Sequence, residues 1–230
     1  MTDPRDRLIV GLDTPDCDSA RRIVEQIGDA AHFYKIGLGL FYIGGIELAR
    51  ELVAEGCRLF LDAKAYDIDQ TVENAARGAA TLGVDLLTVH GDRRIMEAAR
   101  RGRGGSATRL LAITVLTSMD EAGIRELGWR GTVEELVLAR AGHAKEAGMD
   151  GVVASGQEAA MLREALGPDM LIVTPGIRLP GSSADDQKRV ASPRAAIAAG
   201  ADHLVVAREI LRAPDPRAAA LRFQEEIAAA

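Results

Sequence analysis

Eight short runs rich in Val, Ile and Leu recur along the chain, with polar or helical stretches between them. This alternation limits the possible folds more than any other feature. The runs are RLIVGLD at 7–13, FYKIGL at 33–38, RLFLDAK at 58–64, LLTVHG at 86–91, LLAITVL at 110–116, GVVAS at 151–155, LIVTPG at 171–176 and HLVVAR at 203–208. Such near-continuous apolarity suits strands covered on both faces, as in parallel sheets.

Helical patterns fill the gaps. In ARRIVEQIG, residues Ala20, Ile23, Val24 and Ile27 fall at i, i+3, i+4 and i+7, one face of a helix. IELARELVAEG, TVENAARGAATLG, ELVLARAGHAKEAG, EAAMLREALG and PRAAIAAG read the same way. Gly28, Gly56, Gly83, Gly148, Gly167 and Gly200 stand where these segments should stop. DPRAAALRFQEEI forms a last helix, with Pro216 suited to its first turn.

Strands alternating with helices, without a linker-like change of composition, predict an α/β chain folded as one (β/α)8 TIM barrel, a single catalytic domain over residues 1–230. A doubly wound open sheet is the alternative. It favours a Gly-rich first turn, which LDTPDCD does not supply.

The strands' C-terminal ends carry Asp13, Asp62, Lys64, His90, Thr117, Ser155, Arg178 and Arg208, with Lys35 inside the second strand. In a barrel those ends meet at one mouth, where active sites form. Asp62 and Lys64 are two apart, so a regular strand projects both to one face. Buried charges need partners. Lys35 could add a second cation there and Asp67 a second anion. One reading is an ion-pair cluster closing the barrel top. The other is a general acid, Lys64, kept as an ammonium by Asp62 and Asp67; a Schiff base would need the neutral amine.

The connection TPGIRLPGSSADDQKRV follows the seventh strand. Arg178, Gln187 and Arg208 can all contact an oxyanion, and barrels often hold phosphate near their last two strands. A solvated basic loop is the alternative reading of DDQKR.

A formal net charge of -6 and a sequence pI near 5.3 argue against nucleic-acid binding through bulk charge. Cys17 and Cys57 form no CxxC and read as reduced structural thiols. No stretch reads as a secretion signal or a membrane span, so the expected location is the cytoplasm.

Taken together, RLIVGLD, FYKIGLGL, FLDAKAYDI, LLAITVLTSMDE, GVVASGQEA, VTPGIR with GSSADDQKRVASP, and AAGADHLVVAREI make the chain resemble the bacterial orotidine 5'-phosphate decarboxylases over nearly its whole length. The DxKxxD pattern alone is shared with related sugar-phosphate barrels; VLTSM and VTPGIR…DQKR make the match specific. The resemblance implies conversion of orotidine 5'-phosphate to uridine 5'-phosphate and CO2 in de novo pyrimidine biosynthesis. It also implies a homodimer with no metal and no organic cofactor. By position, Lys64 would protonate a carbanion-like C6, with Asp62 beside the substrate carboxylate. Asp13 and Lys35 would hold the ribose, Lys35 also joining the charged network. Asp67 and Thr71 would reach the partner's site. Ser155 would meet the pyrimidine, while Gln187, Arg208 and the Ala207 backbone would take the phosphate. Thr117 and Arg178 match further ligand positions.

Three departures stand out. The usual DIPNT is Asp67-Ile68-Asp69-Gln70-Thr71 here. The usual Gly-Arg-Pro is Ala207-Arg208-Glu209, so a methyl group and a negative charge come close to the expected phosphate site. Glu209 must then point away. The rival enzyme class is a metal-dependent sugar-phosphate decarboxylase or aldolase on the same barrel, in which a metal-binding acid replaces Lys35. A barrel that binds without catalysing is the rival of another class, opposed by the complete set of Lys35, Asp62, Lys64 and Asp67.

Overall fold

The computed structural model describes residues 3–179 and 191–230. All eight apolar runs are strands: β1 Leu8–Gly11, β2 Phe33–Gly37, β3 Arg58–Ala65, β4 Leu86–His90, β5 Arg109–Ile113, β6 Gly151–Val153, β7 Leu171–Thr174 and β8 His203–Val206. They pair in parallel in sequence order, and β8 closes on β1 through Ile9 opposite Val205. The fold is the expected (β/α)8 barrel, not an open sheet.

The pleat sorts the strand residues into two cores. Ile9, Phe33, Phe60, Leu86, Leu111, Val173 and Val205 form a cluster of their own, the filling of the barrel interior. The alternate residues, such as Leu8, Val10, Tyr34, Leu59, Leu61, Leu87 and Leu204, join the larger cluster between barrel and helices. Both faces of each strand are therefore apolar, which is why the runs read as continuous.

The predicted helices appear as Cys17–Ile27, Gly45–Ala54, Asp69–Leu82, Val133–Glu146, Ala159–Leu166, Pro193–Ala198 and Pro216–Ala228. All six glycines expected to end helices have positive φ. Several helix starts are fixed by side chains. Thr132 and Glu135 form a reciprocal capping box, and Asp215 accepts from the Ala218 amide just before Pro216.

One long helix, Arg93–Arg103, had no counterpart in the periodicity reading. Five arginines among its eleven residues mask a narrow apolar stripe of Ile95, Met96, Ala98 and Ala99. Its Gly102 lets it lie directly on Asp69–Leu82: a Cβ there would sit 2.0 Å from the Glu73 carbonyl oxygen. No helix of the described residues is long and apolar enough to cross a membrane.

Candidate active site

The interior apolar layer forms the floor of the site. Two residues beyond Ile9, Phe33, Phe60, Leu86 and Val205 come Gly11, Lys35, Asp62, Thr88 and Ala207. The chemistry-bearing residues thus occupy the next layer of the same pleat. A cavity of about 460 Å³ opens above them, with Phe60, Val153 and Val205 in its lining. That volume lies within the roughly 300–1,000 Å³ common for small-molecule sites.

Lys35 is the innermost charge, its side chain only 9% exposed. Its Nζ lies 2.9 Å from Asp13 and 3.7 Å from Asp62. Glycine on both neighbouring positions makes room for it. A Cβ on Gly11 would come within 3.1 Å of Lys35 Cε, and one on Gly37 within 3.1 Å of its Nζ. Neither glycine was singled out in the sequence; both look like ordinary strand residues until the lysine is placed.

Lys64 Nζ donates to Asp62 Oδ2 at 2.7 Å. The chain of charges therefore runs Asp13, Lys35, Asp62, Lys64, alternating in sign. Burial opposes ionisation of Asp62, but Lys35, Lys64 and the hydrogen bonds from Lys64 and Thr88 outweigh it and hold the carboxyl below its usual value. Asp62 is 13% exposed and Lys64 34%. Both line the cavity, and the lysine is the more accessible partner.

The regular pleat does not bring Lys64 there, contrary to the simple two-residue argument. β3 and β4 pair at Leu61 with Leu87 and again at Ala65 with Val89, so four residues of β3 run past two of β4. Within this bulge Lys64 has φ +47°, the left-handed region, where it is alone among the described non-glycine residues. Its amide, displaced from the ladder, donates to Thr88 Oγ1 at 3.0 Å, and that hydroxyl donates to Asp62 Oδ1 at 2.9 Å. Thr88 was missed in the sequence. The available signal was a hydroxyl in the middle of an otherwise apolar buried strand.

The same cavity is lined by Arg178, Ala207 and Arg208, and by Thr117. Arg208 opens the short helix Arg208–Leu211, directly after β8. Glu209 does not line the cavity. It accepts from the Leu179 amide at 3.0 Å and lies 3.9 Å from Arg178 Nε. The unusual acid thus faces Arg178 and the start of the following connection.

Six of the eight strand-end polar residues therefore share one cavity: Asp13, Asp62, Lys64, Thr117, Arg178 and Arg208. His90 and Ser155 do not line it. His90 packs on Tyr66 with ring centroids 4.6 Å apart. Ser155 is fully buried, its amide donating to Glu158. Asp67 is exposed and accepts from the Ile68 amide, and Thr71 is exposed on the first turn of Asp69–Leu82. Neither enters the cavity of its own chain. Gln187 lies outside the described residues. Among the described residues, no three His, Cys, Asp or Glu side chains gather as metal ligands would.

Comparison with known proteins agrees with this geometry. Residues 6–223 match the family model described as Orotidine 5'-phosphate decarboxylase / HUMPS family. The chain is 56% identical over 230 residues to the orotidine 5'-phosphate decarboxylase of Methylobacterium sp. (strain 4-46), covering 99% of this chain and 98% of that one. To the protein of the same name from Nitrobacter winogradskyi it is 52% identical, covering 97% and 93%. The crystal structure of orotidine 5'-phosphate decarboxylase from Lactobacillus acidophilus superposes with a TM-score of 0.86 at 37% identity, over 96% of this chain and 99% of that one. Fold, cavity and sequence converge: the chain belongs to the orotidine 5'-phosphate decarboxylase / HUMPS family.

Proposed function

We propose that this chain, acting as one catalytic domain, is a cofactor-independent carboxy-lyase that converts orotidine 5'-phosphate to uridine 5'-phosphate and CO2 in pyrimidine biosynthesis. The observation that carries this reading is the alternating chain Asp13, Lys35, Asp62, Lys64 in one cavity with Arg208. The family name covers a second chemistry as well. The Lys35 ammonium, set between two carboxylates, argues against a divalent cation at that point, because together with Lys64 it already balances Asp13 and Asp62.

Arg208 and the Ala207 amide hold the phosphate, with Gln187, while Asp13 and Lys35 hold the ribose hydroxyls. Thr117 and Arg178 complete the nucleotide's surroundings. The pyrimidine C6 then faces Lys64 and Asp62. The bond from C6 to the carboxyl carbon breaks, CO2 departs, and the electron pair remains on C6. The Lys64 ammonium stabilises this developing charge and delivers a proton to C6. Asp62, held ionised by its two lysines, orients Lys64 through their hydrogen bond and lies beside the departing carboxylate. Fixed charges of this kind need no reorganisation as the reaction proceeds, and so favour the transition state over the substrate.

The site is completed by a second copy of the chain in the cytoplasm. Leu38, Tyr42, Ile43, Tyr66, Ile68 and Leu116 are exposed on segments leaving the strand ends, Tyr42 by 86%. An apolar rim of this size suits burial against a partner. Asp67 and Thr71 are exposed near Tyr66 and Ile68 and do not line their own cavity. The test is to supply the purified protein with orotidine 5'-phosphate in the presence of EDTA and follow CO2 and uridine 5'-phosphate. Activity that vanishes on chelation and returns only with Mg²⁺ would overturn the assignment.

A further inference from the structure

We propose that Thr88 is a positioning residue for the proton donor, its single hydroxyl fixing both the backbone of Lys64 and the carboxylate of Asp62. This rests on the proposed role of Lys64 and extends it to a residue that touches neither substrate nor solvent. Thr88 is fully buried in β4, flanked by Leu86, Leu87 and Val89. Transfer of a hydroxyl into such a strand is unfavourable unless its hydrogen bonds are made. Here both are made, and both go to the bulge of β3.

A threonine hydroxyl has one proton and two acceptor lone pairs. The ionised Asp62 can only accept, so the proton goes to its Oδ1, at 2.9 Å. A lone pair then takes the Lys64 amide, at 3.0 Å. That amide belongs to the described non-glycine residue with φ at +47°, where a β-ladder partner is out of reach. Without an acceptor, the left-handed backbone at Lys64 would bury an unpaired N–H. Thr88 supplies the acceptor.

The three residues form a closed ring. Thr88 holds the main chain of Lys64, Lys64 Nζ reaches back to Asp62 Oδ2 at 2.7 Å, and Asp62 Oδ1 returns to Thr88. The lysine is thus tethered at both ends of its side chain. The remaining charged neighbour is Lys35, 3.7 Å from Asp62 on the β2 side and itself paired to Asp13. Cutting the Thr88 corner frees the bulge and removes one hydrogen bond that favours the ionised Asp62.

The test compares Thr88→Val, which keeps the shape and removes the hydroxyl, with Thr88→Ser, which keeps the hydroxyl. Thr88→Val should lower kcat by about 10- to 100-fold, the range for loss of a hydrogen bond to a charged group. KM for orotidine 5'-phosphate should stay within about threefold, since the phosphate and ribose contacts are untouched. The acid limb of the pH profile should move to higher pH, because Asp62 loses a donor to its charged form. Thr88→Ser should recover most of kcat and restore the acid limb. Wild-type kcat and an unmoved acid limb in Thr88→Val would overturn the proposal, as would a folded Thr88→Ser as impaired as Thr88→Val. Titration of the Asp62 carboxyl by NMR in ligand-free wild type and Thr88→Ser decides the matter if Thr88→Val does not fold: an Asp62 that titrates alike in both, while kcat also matches, supports the hydroxyl, and a raised Asp62 titration in Thr88→Ser counts against it. If wild type itself releases no CO2, the functional reading falls, and the Asp62 titration in the variants still tests the ring.

Discussion

Lys64 Nζ lies 2.7 Å from Asp62 Oδ2, yet the two residues meet across a break in strand geometry. A pair serving only to close the barrel top has no need of a free side facing a cavity. Instead both line the cavity, the carboxylate as the more buried and the ammonium as the more open partner. That asymmetry favours a proton donor over a structural bridge.

Lys64→Ala should reduce kcat by about 10²- to 10⁴-fold, the usual contribution of a positioned general acid. The protein should still fold, because Asp62 keeps Lys35 and Thr88 as partners. CO2 release in single-turnover assays, alongside binding of uridine 5'-phosphate, separates the two effects. Retention of wild-type turnover would remove Lys64 from the chemistry.

Arg208→Ala should weaken ligands that carry a phosphate and spare those that do not. Arg208 lines the same cavity as the charged chain, and a lost hydrogen bond to a charged group costs about 1.5–3 kcal/mol. Calorimetry with uridine and uridine 5'-phosphate checks this. Equal losses for both would place the phosphate elsewhere.

Gly11→Ala should destabilise the protein by about 1–3 kcal/mol, as overpacking does in a close-packed interior. The new methyl would lie 3.1 Å from both the Ala207 Cβ and Lys35 Cε, linking the phosphate wall to the innermost lysine. A urea midpoint lowered without change of slope, together with reduced activity, is the expected result.

Acid should weaken the opposite end of the barrel first. Burial, reinforced by Arg58, depresses His203 from 6.5 to about 4, so the folded state holds this ring neutral. Between those values the unfolded chain takes up a proton that the folded chain refuses. Stability is therefore full above about 6.5 and declines as pH falls toward about 4, by roughly 3 kcal/mol at most. Thermal or urea melts across this range should show the slope. His203→Gln should flatten it.

The barrel was legible in the sequence because each buried strand must be apolar on both faces, and eight such runs leave few alternatives. The charged residues were legible for the opposite reason: Lys35, Asp62 and Lys64 are out of place in a core. What stayed hidden depended on three-dimensional proximity. Gly11 and Gly37 matter only because Lys35 passes between them. Thr88 matters only because β3 bulges beside it. Glu209 read as a threat to a phosphate, and its attachment to Leu179 across thirty residues has no local signature.

Asp67 and Lys64 should serve different cavities of a dimer. Lys64 points into its own barrel, while Asp67, three residues on, is exposed and bonded only locally to the Ile68 amide among its described hydrogen bonds. Tyr66 and Ile68 on either side of it are 63% and 71% exposed. Large apolar residues bracketing an acid make poor solvent surface and a good contact with a second copy. If Asp67 completes the partner's site, Lys64→Ala and Asp67→Ala proteins are each inactive for lesions on opposite sides of one shared cavity. After mixing and subunit exchange, each heterodimer has one cavity with both lesions and one with neither. Activity should then rise toward about half that of wild type per heterodimer. Exchange is verified by mass spectrometry of the intact dimers. Heterodimers that form and remain inactive would mean that Asp67 acts within its own chain, by a movement of the 66–68 turn toward Lys64.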